Sequence, residues 1–446
     1  MQKRTRTSRI FASLSGLFLS MVLLAACGAG TGGGGGTGGG TSTGPVTIEI
    51  GSELPTTGGD TSTGKPAQNG VALAIQQANA SNFLPGYKFV LVPKDDVGVN
   101  GTHDPTVGQK NINDLVGDAQ VAGIVGPINS SVALAEMPTA NRAPITLLSP
   151  ANTNDCLTNN VPAAECGGSN NQIPVLRPTG NVTYFRTATL DQYQGKALAD
   201  FAYQTKHYHS VYVIDDTETY GVGLAGNFIN TWKSLGGTVI DHASIKSTGS
   251  YENILTTIAA KHPDAIFFGG NDSTGGITIR QQMAHVPGLE NTPFIVGDGA
   301  KTVQLAKDIK PLNGGPVFGS IPGSDPEQSA SYSKFFSDYA AAFGSGQYGA
   351  YSAGGYDDAS ILLQAIKAAV NNKAVAPKNS NDAATAKTFR QAVIDAMKTI
   401  SYTGVTGHQA FDQNGDTTDQ IVSIYTLGDL TKADGWSFIT QINATK

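Results

Sequence analysis

Four short turns of this 446-residue chain gather the groups that would hold a small polar molecule by hydrogen bonds: Gly126-Pro127-Ile128-Asn129-Ser130-Ser131, Ser149-Pro150-Ala151-Asn152-Thr153, Gly269-Gly270-Asn271-Asp272-Ser273 and Gly297-Asp298-Gly299. Each offers small side chains, free backbone N–H groups and a hydroxyl or carboxylate. Each also follows a short β-branched or aromatic run. In open α/β sheets, ligands sit beyond the carboxyl ends of the strands, next to helix N-termini. One such turn reads equally well as a capped helix start; four at strand ends describe a site.

Other chemistry is carried less well. Gly221-Val222-Gly223-Leu224-Ala225-Gly226 is a literal G-x-G-x-x-G with Asp241 downstream, the pattern of a dinucleotide fingerprint. Asp215 to Tyr220 separate it from the strand candidate ending at Ile214, where the fingerprint needs an immediate turn. An NAD-binding oxidoreductase is therefore a rival reading, and no cofactor is expected. Asp412-Gln413-Asn414-Gly415-Asp416 begins like a calcium loop, but the glycine position is Thr417 and the terminal acid position is Ser423. Asn414-Gly415 reads better as a tight hairpin turn. The chain has no G-x-S-x-G, no H-E-x-x-H and no spaced His/Cys cluster, so no catalytic residue and no metal site is assigned. The paired acids Asp95-Asp96 read as a strand ending in solvent.

The elements that must position the four turns alternate along the chain. Strand candidates are Val46–Ile50, Phe89–Val92, Val121–Val125, Ile145–Leu148, Val211–Ile214, Thr238–Ile240, Ala265–Phe268, Phe294–Val296 and Val317–Ile321. Helix-like segments lie near 70–79, 107–115, 131–141, 192–204, 222–235, 251–261 and 274–284, with later ones near 331–343, 359–370 and 383–400. Strands separated by helices of this length form βαβ units with parallel sheets. Apolar runs such as Ala265-Ile266-Phe267-Phe268 suit a sheet covered on both faces. The fold class is α/β, with two doubly wound parallel-sheet lobes, since about 400 residues exceed one comfortable core.

The ends of the chain bear on its compartment. Lys3, Arg4, Arg6 and Arg9 precede an uncharged, mostly apolar run from Ile10 to Ala26, as in an export signal. The junction Leu24-Ala25-Ala26-Cys27 resembles the lipobox of bacterial lipoproteins, which implies lipidation of Cys27 after removal of residues 1–26. Residues 27–45 then form a Gly/Thr-rich tether, a flexible coil that holds the folded part away from the membrane. Loss of the leader removes four basic residues and takes the formal charge from −6 to −10. This balance argues against nucleic acid and anionic lipid as partners, leaving the lipid anchor as the sole membrane attachment. Cys156 and Cys166 lie in a polar loop of an exported chain, where disulfides persist, and are expected to pair.

In order and spacing, several segments resemble the branched-chain amino-acid (Leu/Ile/Val) binding proteins, which have the type I periplasmic-binding fold. They are NGVALAIQQANA, DD at 95–96, GPINSS at 126–131, LLSPANT at 147–153, FRTATLDQYQG at 185–195, VIDDTETYGVGLAG at 213–226, PDAIFFGG at 263–270, YSAGGYDDA at 351–359 and FDQNGD at 411–416. The resemblance runs from about residue 48 to 427. It implies an extracytoplasmic solute-binding protein that closes two lobes around an amino acid or related solute and delivers it to an ABC transporter permease. A ligand sensor feeding a signalling receptor shares the same closure and stays open as an alternative. A monomer is expected.

By the same resemblance, Ser130 and helix N–H groups take the ligand carboxylate, and Ala151, Thr153 and Asp298 take its ammonium, Asp298 replacing a family Glu. Asn152 belongs to the same turn. Tyr220 supplies the contact from the second lobe, and Tyr351 lies near the hinge. Two positions depart from the family: Thr63 and Asn271 stand where aromatic walls are common. Losing apolar contact area and adding polar groups there predicts a ligand more polar than leucine, such as a polar amino acid, an amide or a urea-like solute. The first lobe is expected to comprise 46–190 and 323–418, and the second 191–322 and 419–446, joined by three crossovers. Asp191 and Gln194 read as a helix cap and capping box at the first crossing.

Overall fold

The computed structural model describes residues 44–166, 173–309, 314–428 and 432–445. Cys27 and the tether up to residue 43 lie outside the described residues.

The first sheet contains β1 (Val46–Glu53), β2 (Tyr87–Lys94), β3 (Val121–Val125), β4 (Thr146–Ser149) and β5 (Tyr184–Arg186). Its order is β2-β1-β3-β4-β5, and every pairing is parallel. The residues of β3, whose pairing with β1 shifts register between Val121 and Gly123, divide between two cores. Ala122 and Val125 join the cluster formed with α1 (Thr61–Ala80), α11 (Ser352–Asn371) and α12 (Ala383–Met397). Val121 and Ile124 join the one formed with α2 (Pro105–Gly117) and α3 (Ser130–Arg142). Both faces are thus covered, so the strand reads as an unbroken apolar run.

The second sheet contains β6 (Ser210–Asp215), β7 (Thr238–Ser244), β8 (Ala265–Gly269), β9 (Phe294–Val296), β10 (Val317–Ile321), β13 (Ile421–Leu427) and β14 (Trp436–Asn443), in the order β14-β13-β10-β9-β8-β6-β7. Ala265 and Phe267 of β8 pack with α5 (Asp191–Asp200) and α6 (Thr219–Ser234). Ile266 and Phe268 pack with α7 (Glu252–Ala259), α8 (Ile277–Met283) and α9 (Val303–Ile309). Each such side chain contributes about 1.5–3 kcal/mol by leaving water. The chain leaves the first sheet after β5 and enters the second through α5. It returns after β10 to supply α10 (Tyr332–Phe343), α11 and α12, and crosses again before β13. A one-turn α4 (Ile173–Leu176) and a hairpin of β11 (Tyr402–Gly404) and β12 (Gly407–Gln409) complete the elements.

Three expectations need correction. The second sheet is not wholly parallel: β13 pairs antiparallel with both β10 and β14. The link from β13 to β14 is too short for a parallel crossover, which needs a dozen residues or more. The first helix starts at Thr61, well before residue 70, because Gly64 and Pro66 interrupt its pattern without ending it. Gly64 lets the helix lie against Pro55, whose carbonyl oxygen would sit 2.0 Å from an added Cβ. Asp96 is buried rather than solvated; only Asp95 of that pair is used locally, accepting from the N–H of Thr56 at 2.9 Å.

Candidate functional site

The carboxyl ends of the two sheets carry the four turns. On the first sheet, the hydroxyl of Ser149 donates to the Pro127 carbonyl at 2.6 Å, and the Asn152 amide donates to the Ile128 carbonyl. These bonds tie the turn after β4 to the turn after β3. Ile128 and Ala151 then pack with Leu54, Ala67 and Tyr351 as one apolar wall. Ser130 is the first residue of α3. First-turn N–H groups have no intrahelical acceptor, and the helix dipole favours an anion beside them. The Ser130 and Thr153 hydroxyls are buried and bond to no protein atom. A serine with no base in reach is not an activated nucleophile; it is a donor for something that binds.

On the second sheet, Asp298 follows β9 and is the point where the two halves meet. Its Oδ1 accepts from the Tyr220 hydroxyl at 2.7 Å and from Gln194 Nε2 at 2.8 Å. Its Oδ2 accepts from the Tyr351 hydroxyl, which comes from the start of α11, a helix of the first sheet. Burial raises the Asp298 carboxyl above its ordinary value, and these three donors pull it back. Burial, reinforced by the charge of Asp298, holds both phenols well above theirs, so they stay protonated and donate. The Tyr220 oxygen also accepts from the Gly299 N–H at 3.2 Å. Asn271 flanks this turn: its Oδ1 would lie 2.4 Å from a Cβ added at Gly299. Its Nδ2 is buried without a partner.

Of the predicted residues, Ser130, Ala151, Thr153, Asn271 and Asp298 lie in the strand-end turns, Tyr220 in the first turn of α6, and Tyr351 reaches Asp298 from the start of α11. Two are used differently from the expectation. Asn152 spends its side chain inside the wall, donating to Ile128 and accepting from the Tyr184 hydroxyl at 2.9 Å. Thr63 turns its hydroxyl back onto the Asp60 carbonyl at 2.8 Å. Gln194 is no capping box either, since Asp298 takes its amide, and Leu190 precedes the helix without a side-chain cap. From the first turn of α5 Gln194 reaches the turn after β9 of the same sheet.

The turn bearing Thr153 is braced from behind. Arg186 at the end of β5 is fully buried. It donates to Asp416 at 2.6 Å, to the carbonyls of Asn154 at 2.8 Å and Asn152 at 3.3 Å, and to Thr158 at 2.5 Å. Cys156 and Cys166 are joined by a disulfide in the same loop. Asp416 closes the turn containing Gly415, whose φ of 83° suits glycine, and Asp412 spends its carboxylate on the N–H groups of Asn414 and Asp416. That turn is a structural support for Arg186, not a calcium loop. Among the described residues no group of His, Cys, Asp and Glu is arranged to hold a metal. The glycines at 221 and 223 lie inside α6. An added Cβ at Gly221 would lie 2.4 Å from the Gly269 carbonyl oxygen, so that glycine serves close packing of helix on strand end and leaves no phosphate-sized turn.

Two α/β sheets that face one another across buried polar turns define a two-lobed binding protein. The chain matches the family model described as periplasmic binding protein over residues 47–432, and it belongs to that family. It is 26% identical over 272 residues to the Leu/Ile/Val-binding protein BraC3 of Rhizobium johnstonii, covering 61% of this chain and 66% of the relative. It is 25% identical over 379 residues to an amino acid binding protein of Pseudomonas aeruginosa, covering 83% and 87%. The match spans only 57% of the length of a Brucella melitensis homologue. Among solved structures, the leucine binding protein LivK of Thermotoga maritima superposes with a TM-score of 0.69 at 23% identity, covering 89% of this chain and 99% of that one. A solute binding protein of Rhodopseudomonas palustris in complex with 3,4-dihydroxybenzoic acid gives 0.67 at 21%, covering 89% and 98%.

Proposed function

We propose that this protein is the extracytoplasmic solute receptor of an ABC importer, and that it traps an amino acid or a related small polar solute between its two lobes. The observation that carries the reading is the pairing of opposite demands. A helix N-terminus with the unbonded Ser130 hydroxyl suits a carboxylate, and a buried Asp298 carboxylate among donors suits an ammonium. Asp298 has three donors on two oxygens, which leaves a lone-pair site for a fourth. The buried, unpartnered groups of Thr153 and Asn271 favour a ligand with polar atoms beyond the zwitterion, hence one more polar than leucine.

The lobes divide as 46–190 with 323–418 and 191–322 with 419–446, consistent with which segments feed each sheet. Export, anchoring through Cys27 and a permease partner are supported by the leader sequence and by the family. The protein acts as a monomer that collects solute outside the cytoplasm.

A thermal-shift screen of amino acids, amides, urea-like solutes and aromatic carboxylates, followed by calorimetric titration, tests this. The expected hits carry both an amine and a carboxylate, and Asp298→Asn weakens them at least tenfold. Tight binding of an amine-free benzoate, unaffected by Asp298→Asn, would overturn the amino-acid reading.

A further inference from the structure

At the far end of the turn that carries Asn271, a second set of polar groups joins the two halves. Asp60 closes the short turn before α1, and His103 ends the loop that follows β2. Asp60 Oδ2 accepts from the His103 N–H at 2.8 Å and from its Nδ1 at 2.9 Å. Both side chains are almost wholly buried, at 3% and 4% exposure. Their partners lie across the cleft. Asp60 Oδ1 accepts from the Ser273 hydroxyl, and His103 Nε2 stands 3.9 Å from Glu218. Beside them, the Ser62 hydroxyl donates to Asp272 at 3.0 Å. Gly59 makes the approach possible, because its virtual Cβ lies 3.1 Å from the Cβ of Ser273.

The two sides play different parts. On the first-lobe side the Asp60–His103 bonds lie within one lobe and persist whether the cleft is open or shut. On the second-lobe side, Ser273 and Glu218 reach this pair only when the lobes meet. The geometry points to a closure latch: Asp60 and His103 form a hook built in advance in the first lobe, and it captures Ser273 and Glu218 of the second lobe. By adding contacts that exist only in the shut state, the latch slows ligand release without touching the ligand. A ligand can shift the hinge only through differential affinity for the two states, and these contacts add directly to that difference. Asp60, His103, Ser273 and Glu218 are therefore positioning residues. Desolvation works against a charged His103, but the carboxylates of Asp60 and Glu218 prevail and hold its pKa up at about 10, so the hook is charged at neutral pH.

The inference rests on the two-lobed receptor reading, and the test separates the two. In full-length mature protein, the native amines of Lys65 and Lys307, which line one groove from opposite lobes, report shutting through the rate at which a short amine-reactive reagent cross-links them, with no ligand needed. Glu218→Gln, at a half-exposed site, is expected to slow cross-linking about threefold with unchanged melting temperature, and His103→Gln about tenfold with a lower melting temperature, because it leaves Asp60 buried without its partner. Separately, Ser273→Ala alone is expected to raise the release rate of any ligand found by the screen about tenfold, with the association rate within twofold. An unchanged cross-linking rate in both variants, or an effect of Ser273→Ala confined to association, would overturn the latch. An empty ligand screen with the expected cross-linking behaviour would instead sink the solute reading and leave the latch standing.

Discussion

Arg186→Met removes a charge from a place that water cannot reach, and the structure fixes what that costs. Methionine fills the same length but offers no donor. Asp416, 5% exposed, is left buried without its partner, which costs about 3–5 kcal/mol when a buried pair is broken from one side. The carbonyls of Asn152 and Asn154 also lose a charged donor, adding about 1–3 kcal/mol. The expected loss is therefore about 5 kcal/mol.

Urea denaturation should be followed by far-ultraviolet circular dichroism, because the two tryptophans, Trp232 and Trp436, both pack in the second sheet's cores and would miss a change in the first. Adding Asp416→Asn, which removes the unpaired buried carboxylate, should restore about half of the loss. Ligand affinity should fall as well, since the carbonyls of Asn152 and Asn154 hold the turn carrying Thr153. A loss below about 1 kcal/mol, or no recovery in the double variant, would refute the claim that Asp416 depends on Arg186.

The remaining expectations concern the ligand, the helix packing and the pH profile. Ser130→Ala should lower affinity by about tenfold or more, because a charge-assisted bond is worth about 1.5–3 kcal/mol. The fold should keep its stability, because that hydroxyl bonds to no protein atom; equal affinity by calorimetry would remove Ser130 from the site. Gly355→Ala should destabilise by about 1–3 kcal/mol in urea titration, since its Cβ would lie 2.3 Å from the Ala67 carbonyl oxygen where α1 crosses α11; a neutral result would mean the helices can part. Burial lifts Glu53 and Asp272 to about 7 and Asp155 and Asp216 to about 6. Acids raised in this way stabilise the fold below their unfolded values and lose that contribution as pH rises through the folded ones. His103, raised to about 10 by its carboxylate neighbours against the pull of burial, has the same sign between about 6.5 and 10. Melting temperature should therefore fall from about pH 4 toward pH 9; a flat or rising profile from pH 5 to 8 would contradict these shifts.

What could be read from the sequence followed from patterns that depend on few neighbours. The run Val121–Val125 is apolar at every position because both faces of β3 are covered, and Gly-Pro or Gly-Asp turns announce strand ends whatever packs beyond them. Ser130 and Asp298 lie in those turns, whereas Tyr220 and Tyr351 are singled out by family resemblance alone. What stayed hidden depends on partners far away in the chain. Asn152 looks like a ligand residue until Tyr184 and Ile128 are seen to consume its amide. Gln194 looks like a capping residue until Asp298, 104 positions away, claims it. Asp96 looks solvated until Glu53 and Asp60 are seen beside it, and then burial, with their charges, raises its carboxyl well above its ordinary value. β5 is three residues long, too short for any periodicity, although its Arg186 braces the whole turn.

The same contrast explains why Asp60 and His103 carried no signal. Each sits in a loop with ordinary polar neighbours, and they are 43 positions apart. Their pairing matters only because Ser273 and Glu218 arrive from the other half of the molecule. The proposed ligand contacts lie at strand ends, which have a local signature, whereas the proposed latch lies where two loops meet, which has none. Binding by shutting would depend on both, since only what differs between open and shut can hold a ligand in place.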